Sequence, residues 1–273
     1  MSDDLSSTAP AASAAAYDGP ARLTRLPFHG PLSEARADDL VRRLAGNAPT
    51  TVLDIGCGWG ELMLRVLAAV PAATGVGIDL HAEDLERGRG AARERGLDGR
   101  ALFVAESAAG TARGPADLVL CVGSSQALAP DGPEAGDHLP HALRELRRLV
   151  ADGGRVLLGE GFWQRTPAPA ELSRMWPNAS AADHHDLAAL IGLAVGAGFR
   201  PEWIETANTD EWEAFESAYL ADTEVWLAAH PGHPRAAELR ARADRHRSAW
   251  LAYRGVLGLA YLTLVPVTTP APA

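Results

Sequence analysis

The sequence predicts an α/β fold, a doubly wound and mostly parallel sheet of seven strands with helices on both faces. Short apolar runs of four to seven residues alternate with helical segments, which is typical of βαβ units. A glycine-rich turn follows the first apolar run, at the usual ligand contact of such a sheet. Two long amphipathic segments precede the last apolar run, which indicates a helical insertion between strands six and seven.

Local signals predict each element in order. The first helix is expected within residues 30–46, with Ser33 as its N-cap and Gly46 at its end. The seven strands are predicted at residues 50–56, 73–80, 101–107, 117–123, 153–161, 199–207 and 257–267. Further helices are predicted at residues 61–70, 82–96, 139–150, 182–198, 210–230 and 233–255. The proline-rich segment before residue 182 is predicted to be a loop with one short helix, and Ser180 is expected to cap the helix that follows it.

The composition argues against several classes of function. The formal net charge is −10 and all 25 basic residues are arginine, without the basic cluster that binds a phosphate backbone. Two cysteines are too few for a disulfide framework or a zinc site, which is consistent with a reducing cytoplasm. Residues 1–20 lack the basic start and apolar run of a signal peptide, and no segment is long and apolar enough to span a membrane. We therefore expect a cytoplasmic protein with a disordered tail at residues 1–20, a small-molecule substrate, no nucleic-acid or membrane partner, and an undetermined oligomeric state.

The segment VLDIGCGWGE, which begins at residue 52, is the strongest signal of a binding site. Its glycines allow a tight turn in which backbone amides approach a ligand closely. The spacing is not the dinucleotide pattern G-x-G-x-x-G, because Glu61 stands where that pattern needs its third glycine. Asp54, at the end of the strand, would repel a pyrophosphate but suits a cation. Asp79 ends the second strand, where a carboxylate can accept both hydroxyls of a ribose.

Three segments, LDIGCGWGE, GVGIDL and FVAES, resemble the class I S-adenosylmethionine-dependent methyltransferases, and the resemblance runs from about residue 32 to the C-terminus. It implies that the last strand, GLAYLTLVPV, is antiparallel to the others. Residues from 161 on are similar to a bacterial small-molecule branch of the family. The resemblance implies S-adenosylmethionine as the cofactor, held by Asp54, Gly56, Cys57, Gly58, Gly60, Asp79, Leu80, Glu106, Ser107 and Gly123. No metal ion is expected, because the histidine and acidic spacings do not support a metal site.

Candidates for the chemistry follow from the geometry of an in-line methyl transfer, which places the acceptor atom about 3 Å from the methyl carbon. A base is needed only if the acceptor carries a proton at neutral pH. The candidate catalytic residues are Glu160, His29 and His184, each of which an ion pair, a cap or a surface position would also explain. The candidate substrate-binding residues are Ser124, Ser125, Gln126, Trp163, Trp176 and Arg254, with loop capping, core packing and an ion pair as alternatives. Relatives that methylate nucleic acids or protein amines often carry an Asn/Asp-Pro-Pro-aromatic segment after strand four, so GSSQ at residues 123–126 favours other acceptors.

We therefore expect one methyltransferase domain over residues 21–273, with lid elements at 21–31, 161–182 and 208–254. Its expected reaction is methyl transfer to the oxygen or nitrogen of a small molecule. Three alternatives stay open: a protein or peptide methyltransferase, an NAD-dependent oxidoreductase, and a non-catalytic cofactor-binding regulator. The bulky insertion argues against the first, and Glu61 and the terminal strand argue against the second.

Overall fold

The computed structural model describes residues 18–129 and 138–267, so residues 1–17 of the expected tail lie outside the described residues. The strands are β1 Thr51–Ile55, β2 Thr74–Asp79, β3 Ala101–Ala105, β4 Ala116–Val122, β5 Val150–Trp163, β6 Phe199–Thr206 and β7 Leu257–Pro266. The helices are α1 Glu34–Ala45, α2 Glu61–Ala69, α3 Ala82–Glu94, α4 Leu139–Leu149, α5 Pro169–Leu172, α6 Leu187–Gly196, α7 Thr209–Ala229 and α8 Ala236–Tyr253. Short 3-10 turns lie at Ser125–Leu128 and Ala181–Asp183.

The strand directions confirm the predicted fold class. The sheet has the order β3-β2-β1-β4-β5-β7-β6. Strands β1 to β5 pair in parallel, and β7 lies antiparallel between β5 and β6. Helices α7 and α8 connect β6 to β7, as the predicted insertion does. The strand order reverses between β1 and β4, and the carboxyl ends of these strands are where doubly wound sheets bind ligands.

Helices cover both faces of the sheet because side chains alternate along each strand. Leu118 and Leu120 of β4 belong to a core shared with α1, α2 and α3. Val119 and Cys121 belong to a second core, shared with α4 and α6. None of the four is more than 1% exposed, so β4 is a central strand covered on both sides.

One predicted helix begins later than expected. The helix predicted at residues 182–198 starts after Asp186, which is its N-cap, and Ser180 caps only the short 3-10 turn. The intervening residues are extended because the backbone amide of Trp163 donates to the carbonyl of His185 at 2.8 Å. Pairing with the end of β5 thus prevails over local helix propensity.

The helical insertion packs through a small core of its own. Leu220 and Leu227 of α7 meet Leu239 and Ala243 of α8.

Within the described ranges, no helix combines the length and apolar character needed to cross a bilayer.

Candidate functional site

The turn between β1 and α2 forms the floor of the site. Gly56, Gly58 and Gly60 have φ angles of 60°, 54° and 65°, in the left-handed region that favours glycine. A Cβ on Gly56 would overlap the Cβ of Ser124, so the loop after β4 packs against this turn. The Cys57 amide donates to the carbonyl of Ile78 at 3.0 Å, which anchors the turn to β2.

Asp79 is held at the edge of this turn by two backbone amides. Its Oδ2 accepts from Gly58 and its Oδ1 accepts from His81, both at 2.8 Å. The next residue, Leu80, is 76% exposed and offers an apolar surface beside the carboxylate. The remaining lone pairs of a carboxylate fixed in this way can accept hydrogen bonds from a diol.

Asp54 lies deeper, at the end of β1. Burial, and then the negative charge of Asp79, raise the pKa of Asp54 to about 8. Its side chain lines a cavity of about 60 Å³, the small cavity, together with Gly56, Cys57 and His29. Since no described residue donates a hydrogen bond to compensate the burial of Asp54, a bound cation would stabilise its charged form.

Residues 20–32, here called the N-terminal strap, cover the glycine turn. The indole Nε1 of Trp59 donates to the carbonyl of Pro27 at 2.9 Å, and its ring stacks on His29 with centroids 5.1 Å apart. The guanidinium of Arg87 lies 3.8 Å from the Trp59 ring centroid and donates to the carbonyls of Leu23 and Leu26. Trp59 of the turn and Arg87 of α3 therefore hold this part of the strap together.

A second cavity, the large cavity, has a volume of about 940 Å³. It is enclosed by the strap, by the segment from Leu80 to Glu83, and by α7 and α8. His29 lines both cavities and therefore lies between them. Such a volume is typical of small-molecule pockets, which span about 300–1,000 Å³.

Comparisons with known proteins agree with this geometry. Residues 52–154 match the family described as a methyltransferase domain. The uncharacterised protein YjhP of Escherichia coli (strain K12) is 30% identical over 227 residues, 83% of this chain and 88% of that protein. The crystal structure of YjhP has a TM-score of 0.74 at 27% identity and covers 88% of this chain and 95% of its own. A second solved structure is that of an S-adenosylmethionine-dependent methyltransferase from Geobacter sulfurreducens in complex with S-adenosyl-L-homocysteine. It has a TM-score of 0.75 at 25% identity, and the match covers 88% of this chain and 93% of that chain.

The chain belongs to the class I S-adenosylmethionine-dependent methyltransferases. It is an enzyme of this family, and the family's cofactor is S-adenosylmethionine. A partial match extends to the release factor glutamine methyltransferase of Bradyrhizobium diazoefficiens, which is 36% identical over 125 residues. That match covers 44% of this methyltransferase and 39% of its relative.

Several predicted site residues of this methyltransferase lie together. Asp54, Gly56, Cys57 and His29 share the small cavity, and Leu80 joins His29 in the large one. Burial lowers the pKa of His29, so its imidazole is neutral at neutral pH and can accept a proton. Burial raises the pKa of the Cys57 thiol, which disfavours the thiolate and a nucleophilic role.

The loop after β4 directs its hydroxyl groups inward. The Oγ of Ser124 donates to the carbonyl of Ile55 at 2.6 Å, and the Oγ of Ser125 lies 2.9 Å from Nε2 of His138. Gln126 is exposed and points back to the carbonyl of Gly123, 3.5 Å away. These contacts join β4 to β1 and to the start of α4, and the substrate role predicted for the three side chains stays a prediction.

The predicted residues after β3 lie at the sheet surface. Glu106 pairs with Arg113 at 2.6 Å, and this guanidinium lowers the pKa of the Glu106 carboxyl. Ser107 is exposed, and its hydroxyl accepts from the amide of Ala109 at 3.3 Å. The backbone amide of Glu106 donates to the carbonyl of Asp79 at 3.1 Å, so the segment is nevertheless joined to the end of β2.

The candidates after β5 form an aromatic cluster. The rings of Trp163 and Trp176 are nearly parallel with centroids 6.0 Å apart, and His184 meets both rings edge-on. Trp163 is only 5% exposed, and its Nε1 donates to the carbonyl of Ala181 at 2.9 Å. Burial lowers the pKa of His184. The cluster holds the segment from 161 to 182 together.

Two further candidates lie at different depths. Glu160 is buried on β5. Burial raises the pKa of the Cys121 thiol, at the end of β4, to about 12, and the charge of Glu160 contributes to this rise. This places Glu160 beside the carboxyl end of β4. Arg254 is half exposed and pairs with Glu213 of α7, with its Nε at 3.0 Å from the carboxylate.

The sequence analysis did not identify three interacting residues of the insertion, Glu216, His246 and Tyr253. His246 and Tyr253 are two turns apart on α8, a spacing that places both side chains on one helix face. This spacing was the available signal, but it does not identify a partner on another helix.

Proposed function

We propose that this methyltransferase transfers a methyl group to an oxygen or nitrogen atom of a small-molecule acceptor. The large cavity carries the proposal, because it has the volume of a small-molecule pocket, includes Leu80 beside Asp79, and shares His29 with the small cavity that the glycine turn lines. The absence of a basic cluster from the sequence is consistent with a non-nucleic-acid acceptor. The cytoplasmic location stays a prediction.

The residues of the site fit S-adenosylmethionine, which supplies a methyl group on a positively charged sulfur. We propose that Asp79 accepts the ribose hydroxyls and that the exposed Leu80 contacts the adenine. Asp54, buried and without a hydrogen bond from the described residues, is suited to a cationic group of the cofactor. The glycine turn allows this close approach because it presents no Cβ atoms.

The three segments predicted as a lid have contacts that suit that role. The strap is tied to α3 by Arg22, whose Nη2 lies 3.1 Å from Asp84, and to α7 by Thr24, which bonds Asp222. Trp176 of the segment 161–182 packs against Tyr253 of α8. We propose that these elements close over the bound cofactor and acceptor and exclude water.

Replacing Trp59 by Phe is expected to loosen the strap. The substitution removes the hydrogen bond to Pro27 and weakens the contact with Arg87, a loss of about 1–2 kcal/mol. Bound S-adenosylhomocysteine should therefore dissociate about 5- to 30-fold faster in stopped-flow displacement, and cleavage within the strap should increase in limited proteolysis. Trp226→Phe, in the helical insertion, is the matched control and should leave both measurements unchanged. An unchanged dissociation rate in Trp59→Phe would mean that Trp59 does not hold the strap closed over the cofactor.

Cofactor affinity is expected to rise with pH below about 8. The pKa of Asp54 is raised to about 8, so Asp54 carries a proton at pH 6 to 7 in the cofactor-free protein. If a cationic group of the cofactor binds the charged carboxylate, that proton must leave, and the association constant should rise about tenfold per pH unit over this range. The trend should end near pH 8, because Asp54 is already charged above its own pKa. Calorimetry with S-adenosylhomocysteine measures the slope; Asp54→Asn should abolish it, and an equal slope in both proteins would contradict the assignment.

A protein acceptor is the second candidate, favoured by the partial similarity to release factor glutamine methyltransferase. That similarity covers less than half of either chain, and the covering strap and helices suit a small acceptor better. Oxidoreductase and purely regulatory roles lack a supporting feature of this kind.

Two measurements test the proposal. Calorimetry should show binding of S-adenosylhomocysteine and no binding of NAD. Incubation with tritiated S-adenosylmethionine and a bacterial extract, separated into low-mass and protein fractions, should place the label in the low-mass fraction. Label in the protein fraction would favour the second candidate, and preferential binding of NAD would contradict both.

A further inference from the structure

A buried carboxylate, bonded to a histidine and a tyrosine, joins the two helices of the insertion. Glu216 of α7 is 1% exposed. Its carboxylate accepts hydrogen bonds from the hydroxyl of Tyr253 and, at 2.7 Å, from Nε2 of His246, both on α8. Burying a carboxylate is unfavourable unless its oxygens are bonded in this way. The two donors therefore hold Glu216 in place and fix the orientation of His246.

The contact determines which nitrogen of His246 carries the proton. A carboxylate can only accept hydrogen bonds, so Nε2 of His246 must be the donor in this contact. In the neutral imidazole the proton is therefore on Nε2, and Nδ1 keeps its lone pair. No described residue forms a hydrogen bond with Nδ1. The ring stacks on Tyr219, with centroids 4.5 Å apart and an interplanar angle of 17°, which restricts its rotation.

His246 faces the large cavity. Its side chain is 31% exposed and lines that cavity from α8. His29 and Leu80, the residue after Asp79, also line this cavity. If Gly58 carried a Cβ atom, that atom would lie 3.8 Å from Nδ1 of His29. A molecule that fills the cavity thus contacts His246 as well as His29 and Leu80.

We propose that His246, oriented by Glu216, is the catalytic base for the methyl acceptor; this rests on the small-molecule methyl transfer proposed above. The acceptor then belongs to the class that keeps its proton at neutral pH, such as an alcohol or a phenol. Its oxygen lone pair forms the bond to the methyl carbon, while the carbon–sulfur bond breaks and its electron pair stays on sulfur. The acceptor proton passes to Nδ1, Glu216 offsets the imidazolium charge, and the proton goes to water after product release.

Other titratable or charged groups around this cavity contribute to any pH dependence. Those that line it or flank the ring come from the strap, the start of α3, α7 and α8: Arg22, His29, His81, Glu83, Glu216, Tyr219, Asp222, Arg242 and Tyr253. The test therefore relies on rescue and on the ring's own protonation, in addition to a rate.

The experiment compares the full-length protein with His246→Gln, His246→Ala and the control His230→Gln. His230 lies in the same insertion but stacks on Trp226, outside the residues that line the large cavity. The rate is that of tritium transfer from S-adenosylmethionine to the low-mass fraction of the extract. Both His246 variants should be about 10²- to 10⁴-fold slower. Added imidazole should restore part of the rate of His246→Ala, and the control should match the parent protein.

Two readouts do not depend on turnover. Calorimetry should give the same S-adenosylhomocysteine affinity, within about twofold, for all four proteins, because the base acts on the acceptor. Nitrogen-15 spectra of the complex at neutral pH should show His246 protonated on Nε2 and bare on Nδ1. A protonated Nδ1, or full activity of His246→Gln, would overturn the base while leaving small-molecule methylation intact. If the parent protein labels only protein, the proposed acceptor class fails, and the base assignment fails with it.

Discussion

Gly56→Ala is expected to destabilise the protein severely and to abolish cofactor binding. The φ angle of 60° at Gly56 is unfavourable for alanine, and the new Cβ would overlap the Cβ of Ser124 and lie 2.9 Å from its Oγ. Ser124 cannot move away easily, because its hydroxyl bonds the carbonyl of Ile55 at 2.6 Å and its side chain is buried. The strained backbone and the overpacking together cost roughly 2–5 kcal/mol. Urea unfolding measures this loss in the absence of ligand.

Gly123→Ala separates the two causes. Gly123 has a φ of 69°, similar to that of Gly56, but a Cβ there would meet nothing within 4 Å. This variant should therefore lose only the backbone contribution, about 1–2 kcal/mol. Equal losses in the two variants would mean that the contact between the glycine turn and β4 does not constrain the turn.

Asp79→Ala is expected to weaken binding of S-adenosylhomocysteine about 5- to 150-fold, which corresponds to roughly 1–3 kcal/mol for a lost pair of hydrogen bonds to a charged group. The substitution removes the acceptor for the ribose and also the two bonds from Gly58 and His81 that order the turn. Calorimetry measures the affinity, and Asp39→Ala, on the exposed surface of α1, is the matched control with no expected change.

The direct and indirect parts of this effect are separable with a second ligand. An analogue of S-adenosylhomocysteine without the two ribose hydroxyls cannot use Asp79 directly. The substitution should therefore cost less affinity for the analogue than for the parent ligand. If both ligands lose the same factor, Asp79 acts only by ordering the Gly58 amide, and the ribose assignment is wrong.

The glycine turn and the position of Asp79 at the end of β2 were predictable because their signals are local. The three glycines encode a turn whose backbone conformation depends on the residues within it, and Asp79 follows a short apolar run. The start of α6 was predicted wrongly, because Asp186 caps it only after residues 184–186 have paired with the end of β5. Distant contacts of this kind leave no periodicity in the sequence.

The acceptor side was predictable only in outline. Polar residues after β4 were reasonable candidates, but Ser124 and Ser125 bond Ile55 and His138 inside the protein. Arg254 faces Glu213, the ion pair that was the alternative to substrate binding. Which polar side chains face a cavity depends on how the strap and insertion pack, and the residue types alone do not specify this packing.

By itself, the sequence determined the order of strands and helices, the left-handed glycine turn and the position of Asp79, because short-range backbone preferences and side-chain periodicity specify them. The tertiary structure alone decided the protonation of Asp54, whose pKa depends on burial and on Asp79 of the neighbouring strand. It also decided the contact of Glu216 with His246, 30 residues further along the chain. Burial, charge and cavity shape arise from residues that are distant in sequence, and they exist only once the strap, the sheet and the insertion have packed together.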